Sequence, residues 1–298
     1  MTKTYAIACL LLILLANNAV QGQNENVPGS STPVKKLKVP VQASKVGFKK
    51  LTFNDDFDSI NSIDTSGSRQ PGFNWYIDDA VWSNNNAKRT AYQVDHSVLT
   101  VTNSGRYTGN WTLASFSSHG KTGHSFKYGY FEARFRFDPT LGKDMEGWPS
   151  FWSLSAYHSM VNNMDHWAEL DFLEAYTGGF HHFDGAFVGT VHDWADSSKK
   201  HFQNSNNWQP LPKGTDFNQW HTYGCLWLPG KITWYFDDRP LMTLNYSPTA
   251  QPDPAGKSPA PAGTFSILDS DPKGMLLILG SDTKWPMYVD WVRVWQAK

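Results

Sequence analysis

Three carboxylates crowd one short stretch, Trp167-Ala168-Glu169-Leu170-Asp171-Phe172-Leu173-Glu174-Ala175. On an extended strand alternate side chains share a face. Trp167, Glu169 and Asp171 therefore project together, while Ala168, Leu170 and Phe172 project the other way. Strict alternation would send Glu174 to the wrong side. A β-bulge, which inserts one residue into one strand, returns it beside Glu169 and Asp171, and bulges are over-represented next to active sites. Like charges held together raise one another's pKa, a tension that concentrates at functional sites. A solvated strand with three surface acids is the competing reading, and it fits poorly with apolar residues at the alternate positions.

Two carboxylates facing each other across a bound sugar can hydrolyse a glycosidic bond. In the retaining route one attacks the anomeric carbon and the other protonates the leaving oxygen, the two groups standing about 5–5.5 Å apart. With a bulge absorbing one residue, Glu169 and Glu174 are four strand steps apart, about 13 Å between Cα atoms at roughly 3.3 Å per step. An inward reach of roughly 3.5–4 Å from each side leaves about 5–6 Å, inside the retaining window and below the inverting one. Asp171 lies between them, placed to hydrogen-bond a neighbour and hold a proton of the cluster. Crowding raises the pKa of one carboxyl, as an acid/base residue needs in order to stay protonated near neutral pH.

The elements that must position these acids read as strands. Residues 128–137 alternate cleanly, with Phe131, Ala133, Phe135 and Phe137 on one face and Tyr130, Glu132, Arg134 and Arg136 on the other. Similar runs cover 98–102, 220–228, 231–236 (followed by an Asp237-Asp238-Arg239-Pro240 turn), 275–279 and 288–295. No stretch beyond the first residues keeps a 3.6-residue period over several turns. Many short strands joined by turns predict an all-β sandwich or barrel. Pro-rich residues 247–262 read as one surface loop.

Net charge is −1, from 26 Lys and Arg against 27 Asp and Glu, with the signs interspersed. Without a basic stripe, nucleic acid and anionic membrane are excluded as expected partners. Aromatic residues make up 15% of the chain, including 14 Trp, a composition that suits sugar rings as well as a core. Residues 1–22 read as a signal peptide: Lys3, an apolar run over 6–16, and small residues at Val20-Gln21-Gly22 before Gln23. That run falls short of the about 20 apolar residues of a membrane span. The expectation is a secreted, extracellular monomer (periplasmic in a host with two membranes), free of the membrane once the signal is removed. Residues 23–47 read as a flexible leader and 48–298 as one catalytic domain. Cys225 is then the only cysteine left, so no intramolecular disulfide forms, and its apolar surroundings predict a buried thiol. Asn110-Trp111-Thr112 and Asn245-Tyr246-Ser247 match the glycosylation acceptor pattern, which matters only in a host that glycosylates.

The acidic run Glu169-Leu170-Asp171-Phe172-Leu173-Glu174 resembles the Glu-x-Asp-x-x-Glu signature of glycoside hydrolase family 16, the laminarinase, lichenase and agarase group. Companions agree in order: Tyr128-Gly129-Tyr130-Phe131-Glu132-Ala133-Arg134, Gly147-Trp148-Pro149-Ser150-Phe151-Trp152, and the closing Val289-Asp290-Trp291-Val292-Arg293-Val294. The resemblance spans about residues 48–298. It implies a concanavalin A-like β-jelly-roll sandwich with a concave sheet forming the substrate cleft. It also implies Glu169 as nucleophile, Asp171 as assisting carboxylate and Glu174 as general acid/base. The plant transglycosylase branch generally has one residue fewer between its last two acids, so the bulged spacing favours hydrolysis. Trp148 and Trp152 resemble the aromatic residues lining the family's cleft, Trp167 falls on the Glu169 face by alternation, and all three, taken as substrate-binding, also have a core-packing reading. His192 resembles a histidine near the catalytic acids, with Trp194 on the same face, and both are taken as substrate-binding. His181-His182-Phe183-Asp184 lacks the spacing of a zinc motif, so no catalytic metal and no required cofactor are expected. Some relatives hold a structural calcium ion away from the cleft, for which Asp290 is the candidate ligand here. The substrate expected is a β-linked polysaccharide, first a β-1,3- or β-1,3-1,4-glucan. A galactan such as agar, wall-remodelling transglycosylation and a lectin-like binding module are the alternatives.

Overall fold

Side-chain alternation along the chain builds two sheets that stack face to face, antiparallel except where Ile63–Asp64 joins Trp75–Ile77 in parallel. A computed structural model describes residues 37–77, 91–101, 111–138, 149–161, 167–175, 186–194, 201–205, 207–249, 264–281 and 286–297. One sheet, called here the backing sheet, runs in the order Arg239–Asn245, Lys231–Phe236, His221–Leu228, Gly129–Arg136, Met287–Gln296, Val98–Val101, Tyr92–Asp95. Lys50–Asp55 also pairs with Met287–Gln296. The second, acid-bearing sheet runs His201–Gln203, Val191–Trp194, Trp167–Glu174, Ser150–Ser155, Met275–Ser281, Trp111–Ala114, Trp75–Ile77, Ile63–Asp64. This is the expected β-jelly-roll sandwich.

The core lies between the sheets and is made by the residues that alternation assigns to it. Phe131, Ala133, Phe135 and Phe137 are fully buried from the backing sheet, facing Ala168, Leu170, Phe172 and Leu173 from the other. Phe131 stacks on Phe172 at 5.0 Å between ring centroids, and Phe151 meets the same ring at 4.6 Å. Each buried Phe is worth about 1.5–3 kcal/mol of transfer free energy. The Phe131–Phe172 stack thus joins the strand Trp167–Glu174 to the opposite sheet. Cys225 is buried in this core, as its context predicts.

Local chemistry sets the ends of the strands. Asp237 and Asp238 have φ of 47° and 63°, the paired positive values of a tight hairpin turn, between Lys231–Phe236 and Arg239–Asn245. The described helices are short, Val41–Lys45, Ala156–Val161 and Ile267–Ser270, which agrees with the missing 3.6-residue period. Among the described residues no helix is long and apolar enough to cross a membrane. Val39–Lys298 forms one compact unit, so order begins before the expected boundary at Phe48. Ala43 is fully buried, and the Gln42 side-chain amide donates to the Tyr130 hydroxyl and to Asp238. Composition alone hides this because the segment is polar and the contacts are made with distant strands.

Candidate active site

The strand Trp167–Glu174 carries the bulge that its carboxylates require. Pairing with Ser150–Ser155 runs Glu169 to Leu154, Leu170 to Ser153 and Asp171 to Trp152, then skips Phe172 to join Leu173 with Phe151 and Glu174 with Ser150. The skip has a packing cause. Leu170, Phe172 and Leu173 all enter the core, and two consecutive inward residues fit only if one is extra. Glu174 thereby returns to the face of Glu169 and Asp171.

The strand is held from three sides. Ser153 Oγ donates to the Leu170 carbonyl at 2.9 Å, and Ser155 Oγ accepts from the Ala168 N–H at 2.8 Å. The Asp171 N–H donates to the Thr190 carbonyl at 2.7 Å. From the backing sheet, Trp234 Nε1 donates to the Asp171 carbonyl at 2.7 Å across the core. Gly189 leaves room for that indole, since a Cβ there would sit 2.5 Å from Trp234 Nε1. Sequence reasoning missed Trp234, Thr190 and Gly189. Their contacts with the strand are tertiary and leave no local pattern.

The three acids share their protons. Asp171 is wholly buried and Glu174 is 5% exposed. The Asp171 carboxyl interacts with those of Glu174 and Glu169, and carboxyl groups held together favour the protonated form. Burial first, then the Glu174 charge and hydrogen bond, push the Asp171 carboxyl well above its usual range. Glu169 is pushed up by burial and by Asp171, while His192 and the Trp194 hydrogen bond oppose the shift. The three titrate as one cluster. Trp194 Nε1 donates to Glu169 Oε2 at 2.9 Å, and His192 Nε2 lies 4.0 Å from Glu169 Oε1. His192 Nε2 is also 3.0 Å from Asp171 Oδ2. Burial and mutual repulsion thus raise both Glu169 and Asp171, and the Trp194 N–H offsets part of that cost at Glu169.

The other expected site residues divide. Trp152 pairs with Asp171 and is half-buried on the acid face. His192 pairs with Glu169 and touches the acids directly. Trp194 is half-buried and bonded to Glu169. Trp167 is on the expected face but only 3% exposed. Its ring lies 5.2 Å from Trp194 at 13°, so it backs Trp194 instead of meeting solvent. Trp148 and the His181-His182-Phe183-Asp184 run lie outside the described residues.

Glu169, Asp171 and His192 each offer one ligand atom, all within 4.8 Å of one another, the described group nearest to a metal-ligand set. Asp290, the calcium candidate, pairs instead with the Arg134 guanidinium on the outer side of the backing sheet.

Comparison with known proteins places this geometry. Endo-1,3-1,4-beta-glycanase ExsH of Rhizobium meliloti (strain 1021) is 28% identical over 230 residues, which is 68% of this chain and 44% of ExsH. The chain thus spans less than half of that relative. A laminarinase from Flavobacterium sp. UMI-01 superimposes with a TM-score of 0.53 at 19% identity, covering 83% of this chain and all of that one. The GlcNAcα1-4Gal-releasing endo-β-galactosidase from Clostridium perfringens gives 0.52 at 18%, covering 83% of this chain and 62% of that one. Likenesses at that identity establish the fold alone. Residues 73–264 match glycosyl hydrolases family 16, and with the three-acid bulged strand inside that span, the chain belongs to this family.

Proposed function

We propose that the protein is a secreted, retaining endo-hydrolase of a β-1,3- or mixed β-1,3-1,4-glucan. The observation that carries the reading is the bulged strand, which gathers Glu169, Asp171 and Glu174 on one face with the Trp194 N–H donated to Glu169. Glu169 attacks the anomeric carbon while Glu174 protonates the departing glycosidic oxygen. Glu174, now ionised, then takes a proton from water, and that water releases the glycosyl group from Glu169. Asp171 holds a proton between the two glutamates and damps their repulsion as charge passes from one to the other. No cofactor enters these steps.

The glucan assignment draws on the relatives named endo-1,3-1,4-beta-glycanase and laminarinase. Trp152 and Trp194, half-buried on the acid face, supply apolar ring surface beside the acids. Reducing-end release from laminarin, lichenan, agarose and xyloglucan tests the substrate. Cleavage of laminarin or lichenan into short oligosaccharides is expected. Activity confined to agarose or xyloglucan would overturn the glucan reading, and binding without release would point to a lectin-like module.

A further inference from the structure

We infer that Trp194 acts as a positioning residue for the nucleophile, orienting the Glu169 carboxylate so that Oε1 is the attacking atom. This inference rests on the roles proposed above. Three observations carry it. The indole N–H is committed to Glu169 Oε2 at 2.9 Å. The indole is itself fixed by neighbouring rings: Trp167 lies 5.2 Å away at 13° and His192 5.5 Å away at 21°. Behind it Trp167 is almost wholly buried and packed on Leu154, Leu276 and Ile278, so the stack rests on the sheet and not on solvent.

A side chain built this way serves geometry. A carboxylate whose one oxygen accepts a fixed N–H cannot rotate freely, and the other oxygen is presented in one direction. Attack demands such alignment, with reacting atoms near 3–3.5 Å apart. The same hydrogen bond favours the ionised form of Glu169, which the nucleophile must adopt. Among the described residues, the charged or titratable groups facing Glu169 are Asp171 and Glu174 from its own strand and His192 from the neighbouring one. Ser150–Ser155, the other flanking strand, contributes none.

The decisive substitution is Trp194→Phe, which keeps an aromatic ring but loses the N–H together with the second ring of the indole. Loss of a hydrogen bond to a charged group predicts a fall in kcat of about 10–100-fold with KM within about twofold of the parent. The acidic limb of the kcat/KM profile should move to higher pH, because Glu169 loses a group that favours its charged form. A sugar platform would behave oppositely, with kcat kept and KM changed mainly in Trp194→Ala. Carboxyl-carbon NMR titration of Glu-labelled parent and Trp194→Phe, assigned by difference from Glu169→Gln, reads the same contact without substrate. An upward move of the Glu169 titration supports the inference, and an unchanged one overturns it. If the parent cleaves no glucan the proposed substrate falls, yet the titration still decides for or against Trp194. Trp167→Phe, with near-UV circular dichroism on each variant, separates loss of the N–H from loss of the ring stack. A defect in Trp167→Phe equal to that of Trp194→Phe would overturn the inference.

Discussion

Two glutamates accept an indole N–H across a strand pair: the buried Glu132 from Trp295 at 2.8 Å in the backing sheet, and the partly buried Glu169 from Trp194 at 2.9 Å in the acid-bearing sheet. Both carboxyls are raised above the usual range, chiefly by burial. Glu132, at about 7, has the Arg293 cation near it to offset that cost. Glu169 has two further carboxyls on its own face and, among the described residues, no Arg or Lys near enough to offset them. An indole bonded to an acid is thus a structural device that a sandwich uses on either side. What marks the catalytic side is crowding of acids without a cation, a cost to stability that folds tolerate at functional sites.

Neutral isosteres should break this comparison most strongly on the acid-bearing side. Glu169→Gln should lower kcat on the order of 10⁴-fold or more, and Glu174→Gln by about 10²–10⁴-fold, measured as reducing ends released from β-glucan. Glu132→Gln, making the same chemical change on the other sheet, should leave kcat at the parent value. Equal losses in all three would remove the distinction.

Asp171→Asn sharpens the comparison by setting activity against stability. Kcat should fall on the order of 10²-fold because the shared proton is lost. The melting temperature at pH 7 should rise, since the folded state no longer carries a buried carboxyl crowded by Glu174. Scanning calorimetry on parent and variant decides, and a lower melting temperature would contradict the account.

Smaller effects concern acids outside the cluster. Asp193 follows His192 on its strand and points the other way. It is fully buried with neither carboxyl oxygen hydrogen-bonded among the described residues, and burial raises it to about 7. In the unfolded chain such a group titrates near 4. Between pH of about 4 and 7 the unfolded chain therefore releases a proton that the folded chain keeps, so stability falls as pH rises and levels off above 7. Glu132 behaves alike over about 4.5 to 7. Asp193→Asn and Glu132→Gln should each flatten that decline in urea midpoints measured from pH 4 to 8, and an unaltered slope would refute the assignment. Smallest of all, Arg134→Ala removes a half-exposed pair with Asp290 and should cost no more than about 1 kcal/mol, with activity unchanged.

Much of this was legible in the residues. Strict alternation in 128–137 assigned the core face of the backing sheet, and the mismatch of Glu174 with alternation demanded a bulge that the pairing then shows. Both signals are local, set by strand periodicity. Trp167 was harder: alternation placed it on the acid face, but Trp194 and Leu154 cover it, and cover comes from other strands. Trp234 is harder still, because its bond to the Asp171 carbonyl joins residues 63 positions apart in different sheets. Asp193 was readable and overlooked, since alternation through Val191-His192-Asp193-Trp194 puts an acid on the core face.

The central claim is that Glu169 attacks and Glu174 protonates, a double displacement that conserves the configuration of the anomeric carbon. Proton NMR of the first reducing ends released from a β-glucan, recorded before mutarotation, tests it most directly. The account predicts that the β-anomer appears first and the α-anomer grows in later. An initial α-anomer would mean single-step inversion and would contradict the roles given to Glu169 and Glu174.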